Sequence, residues 1–273
     1  MKKLLLLTLI SLGLIVCFQN CTNSSAFNSN PEPEPTIGSN DHLTMAVLYQ
    51  QKSAEYRALC FQAFNFAKYK LDQSSKAMGI MKAQAIIVDI DETVLDNSPY
   101  EAKSILDAIN YPTYWDEWVM KADAKPVPGA LEFLQYASSQ GAKVFYISNR
   151  KEKLREATLS NLISLGFPNA DNDHLLLQTD ESSKKTRREK VASNHWIVML
   201  IGDNLNDFSE VFEKKSVPER FEITDSLKLE FGNRFIVLPN AMYGDWESAI
   251  YNYKYPATPD EKTELLHKAL IKF

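Results

Sequence analysis

Two aspartates one residue apart close a short apolar run. Ala85-Ile86-Ile87-Val88 leads directly into Asp89, Ile90 and Asp91, and Glu92 and Thr93 follow. A β-branched run without polar alternation is the pattern of a buried strand. In an open α/β sheet, ligands sit beyond the carboxyl ends of the strands, so Asp89 and Asp91 would emerge at a crevice with their side chains on one side. Carboxylates this close repel unless a cation or a proton separates their roles. One can stay ionised as nucleophile and metal ligand while the other holds a proton and donates it.

Two more strand ends carry polar groups. The run from Lys143 to Ile147 ends in Ser148 and Asn149, and the run from Trp196 to Ile201 ends in Gly202, Asp203 and Asn204, with Asp207 close behind. Lys184 opens a basic stretch between them. Carboxylates without histidine or thiol companions are hard oxygen ligands, suited to Mg²⁺ with water retained, and a phosphate would complete such a shell. Phosphoryl transfer needs an in-line nucleophile, neutralised equatorial oxygens and a proton for the leaving alkoxide, and each need has a candidate here. Single residues also have plainer readings: Glu92 and Asp96 as turn or capping residues, Asp207 as a helix start, Lys184 to Lys190 as a solvated face with one lysine turned inward. The coincidence of the aspartates at one sheet edge favours chemistry.

The elements that must position these groups alternate along the chain. Residues 42–78 carry apolar positions three and four apart, the pattern of one long helix or two. Helical stretches are expected over 104–110 and 114–121, interrupted by Tyr111-Pro112-Thr113, and this insert would cap the site. Pro128-Gly129 introduces a helix that Gly141 stops. Strands at 143–147, 175–178, 196–201 and 235–238, with helices between them and a terminal helix over 258–273, predict a doubly wound parallel α/β sheet. It would carry a small helical cap and an added N-terminal helical region.

The formal net charge is −5 at pH 7. Lys2 and Lys3 lie in a leader expected to be removed, so the mature protein is more acidic still, which argues against a nucleic-acid polymer as partner. The leader, residues 1–20, has a basic start and an apolar run over 4–16, too short to span a membrane, and predicts export. Cys21 is the preferred site of lipid attachment, with Cys17 and an unlipidated secreted form as alternatives. Residues 21–40, with Pro31-Glu32-Pro33-Glu34-Pro35, read as an extended tether, and residues 41–273 as the folded domain. Cys60 would then be the remaining thiol, a small buried residue.

The stretches from Ile87 to Tyr100 and from Gly202 to Phe208 resemble the paired signatures of the bacterial class C acid phosphatases, lipoprotein enzymes of the haloacid dehalogenase-like superfamily. The resemblance extends through Tyr49-Gln50-Gln51, Trp115-Asp116-Glu117-Trp118, Val127-Pro128-Gly129-Ala130, Phe145 to Arg150 and Tyr243-Gly244-Asp245-Trp246. It implies that Asp89 forms a phospho-aspartate and that Asp91 protonates the leaving oxygen and then activates water. It implies Mg²⁺ held by Asp89, the main-chain carbonyl of Asp91, Asp203 and Asp207. Ser148 and Asn149 would bond the phosphoryl oxygens, and Thr93 would support the phosphate loop. Lys184, with Lys185 as the alternative register, would balance charge. Tyr243 would stack on a nucleoside base, opposite Tyr111 or Tyr114. The expectation is a Mg²⁺-dependent acid phosphatase and 5′-nucleotidase of phosphomonoesters, anchored in the cell envelope as an outer-membrane lipoprotein, with homodimerisation implied by the resemblance alone. The competing expectations are a surface lipoprotein for ligand binding or adhesion, and a phosphotransferase.

Overall fold

The N-terminal helical stretch divides at Ser53. In the computed structural model, which describes residues 40–76 and 82–273, Ser53 is extended (φ −85°, ψ 138°) and closes helix α1 (Thr44–Lys52). Its hydroxyl accepts the Tyr56 N–H at 3.0 Å and so caps α2 (Ala54–Lys76). The expected leader, Cys17, Cys21 and the tether up to residue 39 lie outside the described residues. Tyr56, Cys60, Phe64, Ala67 and Leu71 form one buried stripe on α2, the three-and-four spacing of an amphipathic helix.

Strand β1 (Ala83–Val88) follows, then a two-residue strand β2 (Leu95–Asp96). Helix α3 (Ser98–Leu106) begins earlier than expected, because Pro99 sits in its first turn and Asp96 Oδ1 accepts the Ser98 N–H at 2.9 Å. After α4 (Trp115–Met120), β3 (Lys125–Pro126) pairs antiparallel with β2. The helical insert therefore leaves and rejoins the sheet through a short ribbon at the end of β1. Helix α5 (Ala130–Ser139), β4 (Lys143–Lys151), α6 (Arg155–Leu165), β5 (Leu175–Gln178), α7 (Lys185–Asn194), β6 (His195–Gly202), α8 (Val217–Ser226), β7 (Phe235–Val237), α9 (Asp245–Ile250) and α10 (Pro259–Ala269) complete the order. The periodicity gave no sign of α8 and α9. The box at Ser216 and Glu219 that caps α8 was present as a start signal.

All five long strands are parallel, in the order β5-β4-β1-β6-β7. Alternation along β1 divides the core between the two faces. Ile86 and Val88 join a cluster with the stripe of α2 and with Phe133 and Leu134 of α5, while Ala85 and Ile87 join Val191 of α7, Phe208 and Phe235. Each fully buried aliphatic side chain contributes about 1.5–3 kcal/mol, and β1 carries such side chains on both faces. β1 is thus pinned at the centre of the sheet, with its carboxyl end open. Among the described residues no helix is long and apolar enough to cross a membrane.

Candidate active site

The chain beyond Val88 folds back on itself. The N–H groups of Thr93, Val94 and Leu95 converge on the Ile90 carbonyl, with Glu92 in the left-handed region at φ 57°. At the neighbouring strand end, Asn204 caps the short turn Leu205–Asp207: its Oδ1 accepts the Asn206 N–H at 3.2 Å, and Asp207 Oδ2 accepts the Asn204 N–H at 3.0 Å. A Cβ at Gly202 would stand 2.3 Å from Asp207 Oδ2. Only glycine lets the strand approach the turn this closely.

These two loops bring Asp89, Asp203 and Asp207 together, each with a carboxylate oxygen within 4.8 Å of the others. Lys184, just ahead of α7, is buried beside them. Its ammonium donates to Asp89 Oδ1 and, at 2.6 Å, to Asp207 Oδ1. Asp203 accepts from Thr93 Oγ1 at 3.1 Å and from Asn240 Nδ2 at 2.8 Å. Burial lifts the Asp89 carboxyl well above the usual range; Lys184 opposes this, and Asp207 and Asp203 reinforce it. Asp203 is pushed up to about 7 by burial and then by the Asp207 charge. Burial works against the Lys184 ammonium, but Asp207 and Asp89 outweigh it and raise its pKa. Three carboxylates around one ammonium leave excess negative charge, and an all-oxygen donor set of this kind fits a hard divalent cation.

Asp91 is not part of that cluster. Its Oδ1 faces the guanidinium of Arg150, with Nη2 at 2.8 Å and Nε at 3.0 Å, and accepts Asn97 Nδ2 at 2.8 Å; its Oδ2 accepts Ser148 Oγ at 3.2 Å. Arg150 and Asn97 stood within the motifs of the sequence without a role assigned to either. Strand alternation would have found Arg150, because it follows Ser148 by two along β4 and both point inward. The basic stretch is also less solvated than expected. Lys185 is half exposed and pairs with Glu210 at 3.0 Å. Beyond Lys184, Arg187 reaches the Ser148 carbonyl and Asn149 Oδ1, both at 2.7 Å, and Arg188 reaches the Asp207 carbonyl at 3.2 Å. These arginines brace β4 and the turn at Asp207 by donating to their carbonyls.

A cavity of about 700 Å³ opens over the cluster, lined by Asp89, Asp91, Lys184, Asp203, Asp207 and Asn149, with Tyr243, Tyr111 and Trp115 among its walls. Tyr111 and Trp115 meet edge to face, ring centres 5.8 Å apart. The Tyr243 hydroxyl donates to Glu92, a fully buried carboxyl raised well above its ordinary range by burial and by Asp91 and Asp203. Two expected positions differ. Tyr114 does not line the cavity: it takes a left-handed turn ahead of α4, and its ring lies beside the Lys103 ammonium. Ser148 is fully buried, and its hydroxyl serves Asp91 and the Arg150 N–H instead of the cavity. Trp115, present in the sequence only as part of a motif, is also among the walls.

The fold places the chain in the haloacid dehalogenase (HAD) superfamily. More narrowly, residues 18–246 match the model of HAD superfamily, subfamily IIIB (acid phosphatase), and the chain belongs to that family. The class C acid phosphatase from Bacillus anthracis is similar at TM-score 0.83 and 43% identity, over 87% of this chain and 100% of that one. Its tungstate-bound structure is similar at TM-score 0.83 and 44% identity, over 86% and 98%. The Stem 31 kDa glycoprotein of Glycine max is 33% identical over 128 residues, and Acid phosphatase 1 of Solanum lycopersicum is 29% identical over 133; each match covers 44% of this chain and 50% of the relative. The chain spans about half the length of these curated relatives.

Proposed function

We propose that the protein is a Mg²⁺-dependent acid phosphatase acting on phosphomonoesters, nucleoside monophosphates among them, through a phospho-aspartate at Asp89. The observation that carries this reading is the cluster of Asp89, Lys184, Asp203 and Asp207 on the floor of an open cavity, with a second carboxyl, Asp91, held separately beside it. Family membership and the tungstate complex of the Bacillus anthracis relative support it, since tungstate shares the tetrahedral oxyanion form of phosphate.

Asp89, Asp203, Asp207 and the main-chain carbonyl of Asp91 would hold the cation, which when bound offsets charge on the phosphoryl oxygens. Asp89 attacks phosphorus in line, and Lys184 stays bonded to its carboxylate and opposes the burial that disfavours the ionised form. Asp91 gives its proton to the leaving oxygen and takes one from water in the second step. Asn149 bonds the transferring group, with Ser148 acting through Asp91, and Thr93 orients Asp203. Tyr243 and Tyr111 offer aromatic faces to a base. Residues 1–20 as a leader, Cys21 as lipid anchor, 21–40 as tether and 41–273 as the phosphatase domain complete the proposal, with the enzyme at the cell envelope as an outer-membrane lipoprotein.

The test is phosphate release from nucleoside monophosphates and an aryl phosphate across acid to neutral pH, with Mg²⁺ or chelator. Release that depends on Mg²⁺ and peaks at acid pH is expected. Absence of release from folded, Mg²⁺-loaded protein would overturn the reading.

A further inference from the structure

We infer that Arg150, with Asn97, is a positioning residue that decides which oxygen of Asp91 handles the proton. The inference rests on the proposed role of Asp91 toward the leaving group.

The two oxygens of Asp91 are bonded unequally. Oδ1 accepts from Arg150 Nη2 at 2.8 Å, Arg150 Nε at 3.0 Å and Asn97 Nδ2 at 2.8 Å, while Oδ2 accepts only Ser148 Oγ, at 3.2 Å. Three donors hold Oδ1 on the Arg150 side, which leaves Oδ2 as the oxygen with acceptor capacity to exchange a proton. The donors are themselves held. The Arg150 side chain is 1% exposed, donates to Thr158 Oγ1 at 3.2 Å and lies 5.7 Å from the centre of the Trp115 ring. Asn97 is fully buried: its N–H donates to Glu92 Oε1 at 2.8 Å, and its Oδ1 accepts Trp118 Nε1 at 2.8 Å. Asp91 is the ion-pair partner of Arg150 among the described residues. A guanidinium this deep anchors its carboxylate as firmly as the carboxylate anchors it.

The consequence falls on one bond. As the Asp89 oxygen bonds to phosphorus, the bond from phosphorus to the leaving oxygen breaks, and its electron pair stays with that oxygen, which takes the proton from Asp91 Oδ2. In the second step water attacks phosphorus, passes a proton to Oδ2 and frees phosphate from Asp89. Without the clamp the Asp91 carboxyl turns about its Cβ–Cγ bond, and Oδ2 no longer dwells where the leaving oxygen needs it. An alkoxide cannot leave without that proton; a nitrophenolate can.

Alkyl and aryl substrates therefore read the clamp directly. Phosphate release by the full chain with Mg²⁺ would be compared on glycerol phosphate and p-nitrophenyl phosphate, for the natural protein and for Arg150→Met, Arg150→Lys and Asp91→Asn. Arg150→Met is expected to lower kcat on the alkyl ester by about 10²-fold or more and on the aryl ester by less than about tenfold. Arg150→Lys restores part of the alkyl rate, because one donor and the charge return. Equal losses on both esters, or none on either, overturn the inference. Asp91→Asn separates it from its parent: retained alkyl turnover in that variant removes the acid role itself, whereas lost alkyl turnover with no ester split in Arg150→Met removes only the positioning role. Where Arg150→Met fails to fold, Asn97→Ala, which keeps the ion pair, must show the same split in smaller measure, and no split there is equally decisive against it.

Discussion

Asp89 and Asp91 carry the same carboxyl group on the same loop, and each is paired with a cation, yet their settings differ. Around Asp89, three carboxylates cluster while one ammonium bonds two of them, and the local charge is out of balance. Around Asp91, one carboxylate meets one guanidinium, and three donors fill its Oδ1. Excess charge invites a cation and an electrophile; a balanced, bonded pair holds geometry. In the proposed mechanism, the division of labour between two identical side chains would come from their neighbours and not from their chemistry.

The sharpest way to break this comparison is Asp89→Asn. Turnover should fall by about 10⁴-fold or more on alkyl and aryl esters alike, because no bond to phosphorus can form, while tungstate binding by calorimetry persists. A variant with an aryl rate near the natural one would remove Asp89 from its role. Next in size is Lys184→Met, which leaves the carboxylates without their ammonium. A loss of about 3–5 kcal/mol in stability is expected from breaking a buried pair, measured by urea unfolding with chelator, and Mg²⁺ should recover part of it. A loss unaffected by Mg²⁺ would mean that the cluster does not hold the cation.

Excess charge at the Asp89 cluster also carries a pH signature. The Asp203 carboxyl sits at about 7, against an ordinary 3.8, through burial and then Asp207. The folded state thus holds its proton more tightly than the unfolded state. Stability from this group is complete below about pH 4 and is lost as pH rises to about 7. The chelated protein should melt several degrees lower at about pH 7.5 than at about pH 4.5, and Mg²⁺ at the higher pH should restore it. The smallest effect separates the two tyrosines of the insert. Tyr111→Ala should raise KM for a nucleoside monophosphate several-fold by removing an aromatic wall, whereas Tyr114→Ala should leave KM unchanged, since Tyr114 lies outside the cavity.

Much of this was legible from the chain alone where the signal is local. The apolar run into Asp89 predicted a buried strand, and the alternation of strands and helices predicted the parallel sheet, because burial on two faces leaves no polar period. Ser53 shows the limit: whether residues 42–78 make one helix or two depended on a hydroxyl turning back to cap Tyr56. Ser148 shows another. The sequence put it at the end of a strand over 143–147, but β4 runs on to Lys151 and its hydroxyl serves Asp91 and not the cavity. Tyr111 and Tyr114 were inseparable by sequence, since a left-handed turn at Tyr114 sends the two rings different ways.

By itself, the sequence determined which groups stand in the carboxyl-terminal parts of the strands and just beyond them: an Asp pair after β1, Ser148 and Asn149 late in β4, and Asp203 with Asp207 after β6. Runs of a few residues decide strand, turn and cap, and those rules act over short range. The tertiary structure alone decided which cation meets which carboxylate. Lys184 reaches Asp89 across 95 residues, and Arg150 reaches Asp91 across 59. Such partners are chosen by the parallel crossovers that lay β4 and β6 beside β1, and by burial, which leaves each charge no solvent to turn to and so commits it to the nearest opposite one.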